Sequence, residues 1–317
     1  MIRYLAKRLG IASFLILVVS ILVFVLMRGL PGDPALIALG DSASADAIEA
    51  YRNRMGLNDP LILQYLRWIS GIVLQWNFGK SVLNEQNVSA MISQRLPTTL
   101  TIGIPSIVLG IILGLPIGIV SAITRGRWID QILTFVVNAF LGTPRFLVAI
   151  FGVFILAFKF RLIPLQGYTA PWVDFAAYLH KAIWPIFINS IYVFAVLARY
   201  MRSSLLEVMT QDYIRTARAN GLSESRVIFR HALKNSLIPV VTIIGLQMPQ
   251  IIAGAVIIES IFNIPGVGQL VLNGILNRDY LVVQAATLVI ALVTIMSNLL
   301  VDMSYALIDP RIKRLSR

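Results

Sequence analysis

Six long apolar stretches, at about 9–27, 99–122, 130–158, 182–201, 238–259 and 282–307, leave this chain very few ways to fold. Each can cross a hydrocarbon core of about 30 Å at about 1.5 Å of helix rise per residue. Lipid offers no partners to backbone N–H and C=O groups, so spans of this length are expected to be helices, in an all-α membrane protein with six transmembrane helices. Composition agrees: 57% of the 317 residues are hydrophobic and 13% are charged, against about half and a quarter in soluble domains. The span interiors hold Gly114, Pro116, Gly118, Pro144, Pro185, Gly245, Pro249 and Gly254. Such residues are tolerated where neighbouring helices restore lost backbone bonds, and small ones let helices approach closely.

The net charge of +12 is concentrated in particular loops. Arg3, Lys7 and Arg8 precede the first stretch, which is too long for the apolar part of a secretory signal. No small-residue cleavage site follows promptly, so an uncleaved first helix with a cytosolic N-terminus is expected. Arg125 and Arg127 mark the second inside segment, and Arg199, Arg202 and the basic run after Gln211 mark the third. Arg311, Lys313, Arg314 and Arg317 mark the tail, which places the C-terminus in the cytosol as well. The basic runs lack interleaved aromatics and adjoin apolar spans, so the expected partner is the lipid membrane and not nucleic acid. Trp128, Trp172, Trp184 and Tyr305 read as interface anchors.

There is no cysteine, and the two histidines, His180 and His231, are far apart. Thiolate metal sites, disulfides and Cys-His catalysis are thereby excluded, and no metal site, cofactor or catalytic residue is expected in this chain. Gly79-Lys80-Ser81 matches the end of a P-loop, but Leu74 occupies the first glycine position. Pro265-Gly266-Val267-Gly268 fails as a dinucleotide fingerprint because Val271 stands at the third glycine position. Both read better as turns.

The chain divides into an N-terminal region with the first helix (1–30), an extracytoplasmic helical cap (31–97), and a five-helix core (98–317) carrying a cytosolic loop (202–237). In the cap, short helices are predicted at about 44–55, 60–76 and 86–95, split by Gly56, Asn58-Asp59-Pro60 and Gly79. The cap is too short to build an independent core.

The loop is the largest polar feature of the chain. Arg215, Arg218, Arg226, Arg230, His231 and Lys234 crowd Gln211–Pro239. A helix from Glu207 to Asn220 is predicted to continue the fourth span and to stop at Gly221, which suits the positive φ of a helix C′ position. Ser223 is a plausible N-cap for a second helix to about Asn235, and Pro239 suits the first turn of the next span. Such a loop can serve orientation alone. Buried-type Ala217, Ala219, Leu222, Val227 and Leu233 in a helix-turn-helix favour a docking element.

Residues 207–239 resemble the Glu-Ala-Ala loop of bacterial ABC-importer permeases. Arg215-Thr216-Ala217 stand at the Glu-Ala-Ala positions, followed by Gly221 and by Leu237-Ile238-Pro239. The first two positions depart from the general pattern, but Arg-Thr-Ala-Arg-Ala-x-Gly-Leu is similar to the dipeptide/oligopeptide/nickel branch. The resemblance extends through Pro31-Gly32-Asp33-Pro34, Gly56-Leu57-Asn58-Asp59-Pro60-Leu61, Phe78-Gly79-Lys80-Ser81 and Arg95-Leu96-Pro97-Thr98-Thr99-Leu100. Beyond the loop it takes in Glu259-Ser260-Ile261-Phe262, Pro265-Gly266-Val267-Gly268, Arg278-Asp279-Tyr280 and Asp309-Pro310-Arg311-Ile312.

This resemblance implies a type I ABC importer permease fold in the bacterial inner membrane. It implies a heterodimer with a second, homologous permease, two ATP-binding subunits that bind ATP-Mg, and an extracytoplasmic substrate-binding protein met by the cap. Arg215, Thr216, Ala217, Arg218, Ala219, Gly221, Leu222 and Ser223 would then form a coupling helix seated on an ATPase subunit. The cargo would be peptides or similar small solutes, with nickel chelates and other small solutes as the alternative.

Ionisable residues in spans are functional suspects. Arg145, near the middle of the third stretch, could attract an anionic group of the solute. It could equally be satisfied by carbonyls of the kinked backbone or by an acid on a partner, which is the simpler reading. Glu259 and Asp302, toward span ends, suit structural pairing or a gate. An ATP-independent transporter would need a coupling-ion site in broken helices, for which the spans offer few acids. A membrane enzyme would need a convergent catalytic set, and none is apparent.

Overall fold

A computed structural model describes residues 2–29, 33–40, 42–162, 164 and 166–308. Pro31-Gly32, Asp41, the Asp309-Pro310-Arg311-Ile312 motif and the basic tail lie outside the described residues, as do the side chains of Asp302 and Tyr305.

The chain is helical in order: α1 (Ile2–Gly29), α2 (Pro34–Leu39), α3 (Ala45–Met55), α4 (Leu61–Gln75), α5 (Val88–Ile123), α6 (Trp128–Gly142), and α7 (Arg145–Gly152), which runs into a π-helical segment (Val153–Lys159). Then follow α8 (Phe175–Val208), α9 (Asp212–Ala219), α10 (Glu224–Arg226) with a second π-helical segment (Val227–Ala232), α11 (Leu233–Ile261), α12 (Val267–Leu276) and α13 (Tyr280–Ile308). Among the described residues five helices are long and apolar enough to cross a membrane, and a sixth crossing is available if the bent pair α6 and α7 counts as one.

That pair occupies the span expected over 130–158 and breaks it in two. The chain turns by 102° between α6 and α7. Thr143 is extended (φ −96°, ψ 126°), the conformation that a following proline imposes. Arg145 therefore lies in the first turn of α7 and not within a continuous helix.

The separate helix predicted at 86–95 is absent, because α5 runs unbroken from Val88 to Ile123. Pro239 does not begin a span either. Residues 224–261 stay helical throughout, with α-helical backbone at Arg226, Val227 and Leu233, and Pro239 lies inside α11. In that turn the buried Ser204 hydroxyl donates to the Ser236 carbonyl at 2.8 Å. Bonds of this kind make an internal proline tolerable.

The described residues form two compact units: those of 1–99 with 265–299, and those of 100–264 with 300–308. In the first, the cap helices share their core with α12 and α13: Ile72, Phe78, Val88 and Ile92 pack with Val267, Leu270, Val282, Ala285 and Val289. Phe24 of α1 meets Tyr65 of α4 edge-on at 5.5 Å, beside a Ser20–Tyr65 hydroxyl contact of 2.8 Å. Ser44 caps α3, and Gly56 ends it at φ +65°. Gly79-Lys80-Ser81 is a turn: Lys80 bridges to Asn87, and the Ser81 hydroxyl donates to the buried Asp279 carboxylate at 2.5 Å. Gly266 begins α12, whose Val267 N–H donates to the Thr99 hydroxyl at 2.9 Å.

In the second unit α8 is the central helix, packing on α11, α6 and α7. Its contact with α5 depends on Gly110, Gly114 and Gly118, spaced by one helical turn along α5. A Cβ at Gly114 would lie 2.7 Å from the Phe194 carbonyl oxygen, and one at Gly118 would lie 2.5 Å from that of Ala198. The two backbones meet directly along this line, as small residues permit in membrane bundles.

Candidate functional site

The loop between α8 and α11 folds as a compact helical turn. Met209–Gln211 breaks away from α8, contrary to the predicted continuous helix through Asn220, and α9 then runs from Asp212 to Ala219. Ile214 and Ala217, three residues apart, face inward and pack with Leu205, Val227 and Ala232. Arg215, Thr216, Arg218, Ala219, Gly221 and Ser223 remain exposed, and Leu222 is half-buried. Ala217 thus serves the chain's own packing, while Ala219 lies on the outer face.

Gly221 ends this helix at φ +75°, and its N–H donates to the Arg218 carbonyl at 2.9 Å. Nothing lies within 4 Å of where its Cβ would be, so the backbone conformation, and not crowding, requires glycine here. Ser223 stands at the N-cap position of α10 but makes no side-chain capping bond.

Arg218 braces the turn with two bonds to the Glu224 carboxylate, at 3.1 Å from Nε and 2.7 Å from Nη2. Arg215 makes only a looser, exposed contact of 3.4 Å with Asp212. The Asn235 amide donates to the Tyr213 hydroxyl at 2.7 Å, tying α9 to α11. With the Ile214 and Ala217 contacts, this fixes the exposed face of α9 to the spans behind it.

Asp130 has no local marker in the sequence. Buried at the start of α6, it accepts from Arg202 Nε and Nη2, both at 2.8 Å. It also accepts from the Ser121 hydroxyl at 2.5 Å and the Gly126 N–H at 3.0 Å. This one carboxylate joins α5, the 124–127 turn, α6 and α8. No local pattern marks a pair separated by 72 residues.

Arg145 donates from Nη1 to the Gln250 carbonyl of α11 at 2.9 Å and lies 4.3 Å from the centre of the Tyr192 ring. The carbonyl it meets belongs to α11 and not to the bend beside Pro144. Glu259 is fully buried near the end of α11. Asp302 lies on α13. Neither adjoins the loop in sequence. Among the described residues no cluster of three or more metal-ligating side chains occurs.

Comparison with known proteins bears on this arrangement. Residues 114–314 match the family model described as "Binding-protein-dependent transport system inner membrane component", and residues 1–103 match the model of its N-terminal region. A putative peptide permease protein of Brucella suis is 40% identical, over 99% of each chain. The oligopeptide transport system permease protein AppB of Bacillus subtilis is 37% identical, over 99% of this chain and all of its own length. The glutathione transport system permease protein GsiC of Shigella flexneri is likewise 37% identical, over 99% of each chain. In fold, the chain is similar to an inward-facing structure of the MetNI methionine ABC transporter. That match has a TM-score of 0.57 at 17% identity and covers 69% of this chain and 97% of the other.

Proposed function

The chain belongs to the family of binding-protein-dependent transport system inner membrane components, and on that premise we propose that its 202–237 loop couples ATPase movement to a peptide-conducting bundle. It is a multi-pass permease of the bacterial inner membrane that forms the translocation path of an ABC importer. It works with ATPase and substrate-binding components, and the ATP is hydrolysed on the separate ATPase subunits.

The observation that carries the coupling reading is the two-sided character of α9. Its inner face is packed into the spans through Ile214 and Ala217, while Arg215, Thr216, Arg218 and Ala219 are presented outward beside the Gly221 turn. A helix anchored on one side and open on the other suits a partner that moves against it. Arg215 offers charge-assisted hydrogen bonds, and Ala219 permits close approach. Arg218 acts differently: paired with Glu224, it keeps the turn rigid.

The remaining parts of the proposal follow the family. Both termini lie in the cytosol, ATP-Mg is held by the partner subunits, and a second, homologous permease completes a heterodimer. The cap over 31–97 meets the binding protein. Glu259 and Asp302 serve structural pairing or a gate. Peptides are the cargo, on the strength of relatives named for peptide, oligopeptide and glutathione transport.

Gly221→Val tests the coupling. The variant forces a β-branched residue to positive φ at an exposed turn, so the spans should insert and assemble as before. Import into proteoliposomes should fall about tenfold or more, for a local backbone cost of about 1–2 kcal/mol. Binding-protein stimulation of the ATPase should be lost with it. Normal import by an assembled Gly221→Val transporter would sink the assignment.

A further inference from the structure

A cation and an unpaired amide converge on one glycine in the second unit. Arg145, half-buried at the start of α7, gives one N–H bond to the Gln250 carbonyl and rests on the Tyr192 ring. Among the described residues no carboxylate pairs with it. Its other guanidinium donors therefore lack a protein acceptor. Asn189 of α8 is completely buried, and among the described residues neither its amide nitrogen nor its amide oxygen has a partner.

Gly254 of α11 lies between them. A Cβ there would sit 2.3 Å from Arg145 Nη1 and 3.0 Å from Asn189 Oδ1. Any other residue would displace the guanidinium from this position. An intramembrane cation without an acid and a buried amide without a bond are each costly, and such groups persist where they serve a ligand. Packing alone gives no reason to keep both at one crossing of α7, α8 and α11.

We propose that Arg145 and Asn189 form a recognition point for a carboxylate of the solute within the translocation path. Stacking on Tyr192 occupies the guanidinium's face and leaves its donor edge, which matches the two oxygens of a carboxylate. Asn189 Oδ1 faces Gly254, so its amide turns over to present its N–H as a further donor when the crossing opens around the solute. This rests on the peptide reading above, because a peptide carries a terminal carboxylate, and it goes beyond that reading by naming the group recognised and the residues that recognise it.

The chain has no cysteine, so Tyr192→Cys gives it a single thiol beneath the guanidinium. In the assembled transporter, the thiol's modification by an anionic sulfonatoethyl methanethiosulfonate is compared with that by its cationic trimethylammonioethyl counterpart. Rates are read from the mass of this chain. Relative to a free thiol, the anionic reagent should be favoured about tenfold, the worth of one charge-assisted hydrogen bond. Arg145→Gln should abolish that preference, and Arg145→Lys should keep it. Equal ratios in the parent and Arg145→Gln backgrounds overturn the site whatever the cargo.

Uptake supplies the second measurement, with tyrosine restored. Arg145→Gln should lower import of trialanine about tenfold while leaving trialanine amide within about twofold. An equal loss of both peptides would mean a structural role and would also overturn the proposal. Failure of the unaltered transporter to import either peptide rejects the peptide reading, while the thiol ratio still decides the anion site.

Discussion

Valine in place of Gly118 is expected to abolish recovery of folded permease from membranes. The position faces α8 at backbone distance: a Cβ would stand 2.5 Å from the Ala198 carbonyl oxygen and 2.7 Å from Met201 Cβ. Neither is the end of a flexible side chain. Relief requires α5 to move away from α8 along a line that also holds Gly114 and Gly110, where Phe194 and Val193 are approached as closely. Ordinary overpacking costs about 1–3 kcal/mol when side chains can shift. Here the helices themselves must part, so valine should exceed that range, and alanine at the same position should fall within it. Fluorescence-detected size exclusion in mild detergent and the thermal midpoint would measure both. Gly10→Ala is the control, since nothing lies within 4 Å of its Cβ position. A Gly118→Val protein that elutes and melts like Gly10→Ala would refute the close α5–α8 packing.

That close approach was only partly legible. The glycines and their one-turn spacing stand plainly in the sequence, and their meaning as a helix contact follows from size. Which helix they meet does not, because α8 presents ordinary apolar residues there. The spans themselves were readable because lipid demands length and apolarity. Their interruptions were not. Pro144 breaks its span with Thr143 and itself exposed, whereas Pro185 lies buried within an intact α8. Both present the same residue type in an apolar run, and the outcome depends on what packs around them. In the loop, the Gly221 turn was legible because positive φ has a strong residue preference. The inward side of Ala217 follows from its helical spacing from Ile214. The Arg218–Glu224 brace and the Arg145–Asn189–Gly254 convergence were not legible, since a tertiary contact leaves no periodic mark.

The same holds for Asp130 and Arg202, where the second large effect is expected. Asp130 keeps only 6% of its side-chain surface exposed and Arg202 keeps 30%. The carboxylate takes two guanidinium bonds, along with the Ser121 hydroxyl, the Thr134 hydroxyl at 3.2 Å and the Gly126 N–H. Such a pair adds little over a well-packed apolar alternative, but removing one member strands the other charge. Arg202→Gln should therefore cost about 3 kcal/mol, the lower part of the range for breaking a buried pair, because the arginine is itself partly solvated. Asp130→Asn should cost less, since its amide oxygen can still accept from the Gly126 N–H, the Ser121 hydroxyl can turn to accept from its NH2, and Arg202 can turn toward water. The double variant should be more stable than Arg202→Gln alone, which is the signature of a stranded carboxylate and not of lost packing. Thermal midpoints of the three variants in one detergent decide the matter. If Arg202→Gln melts with the parent protein, the bonds seen at Asp130 do not hold α5, α6 and α8 together.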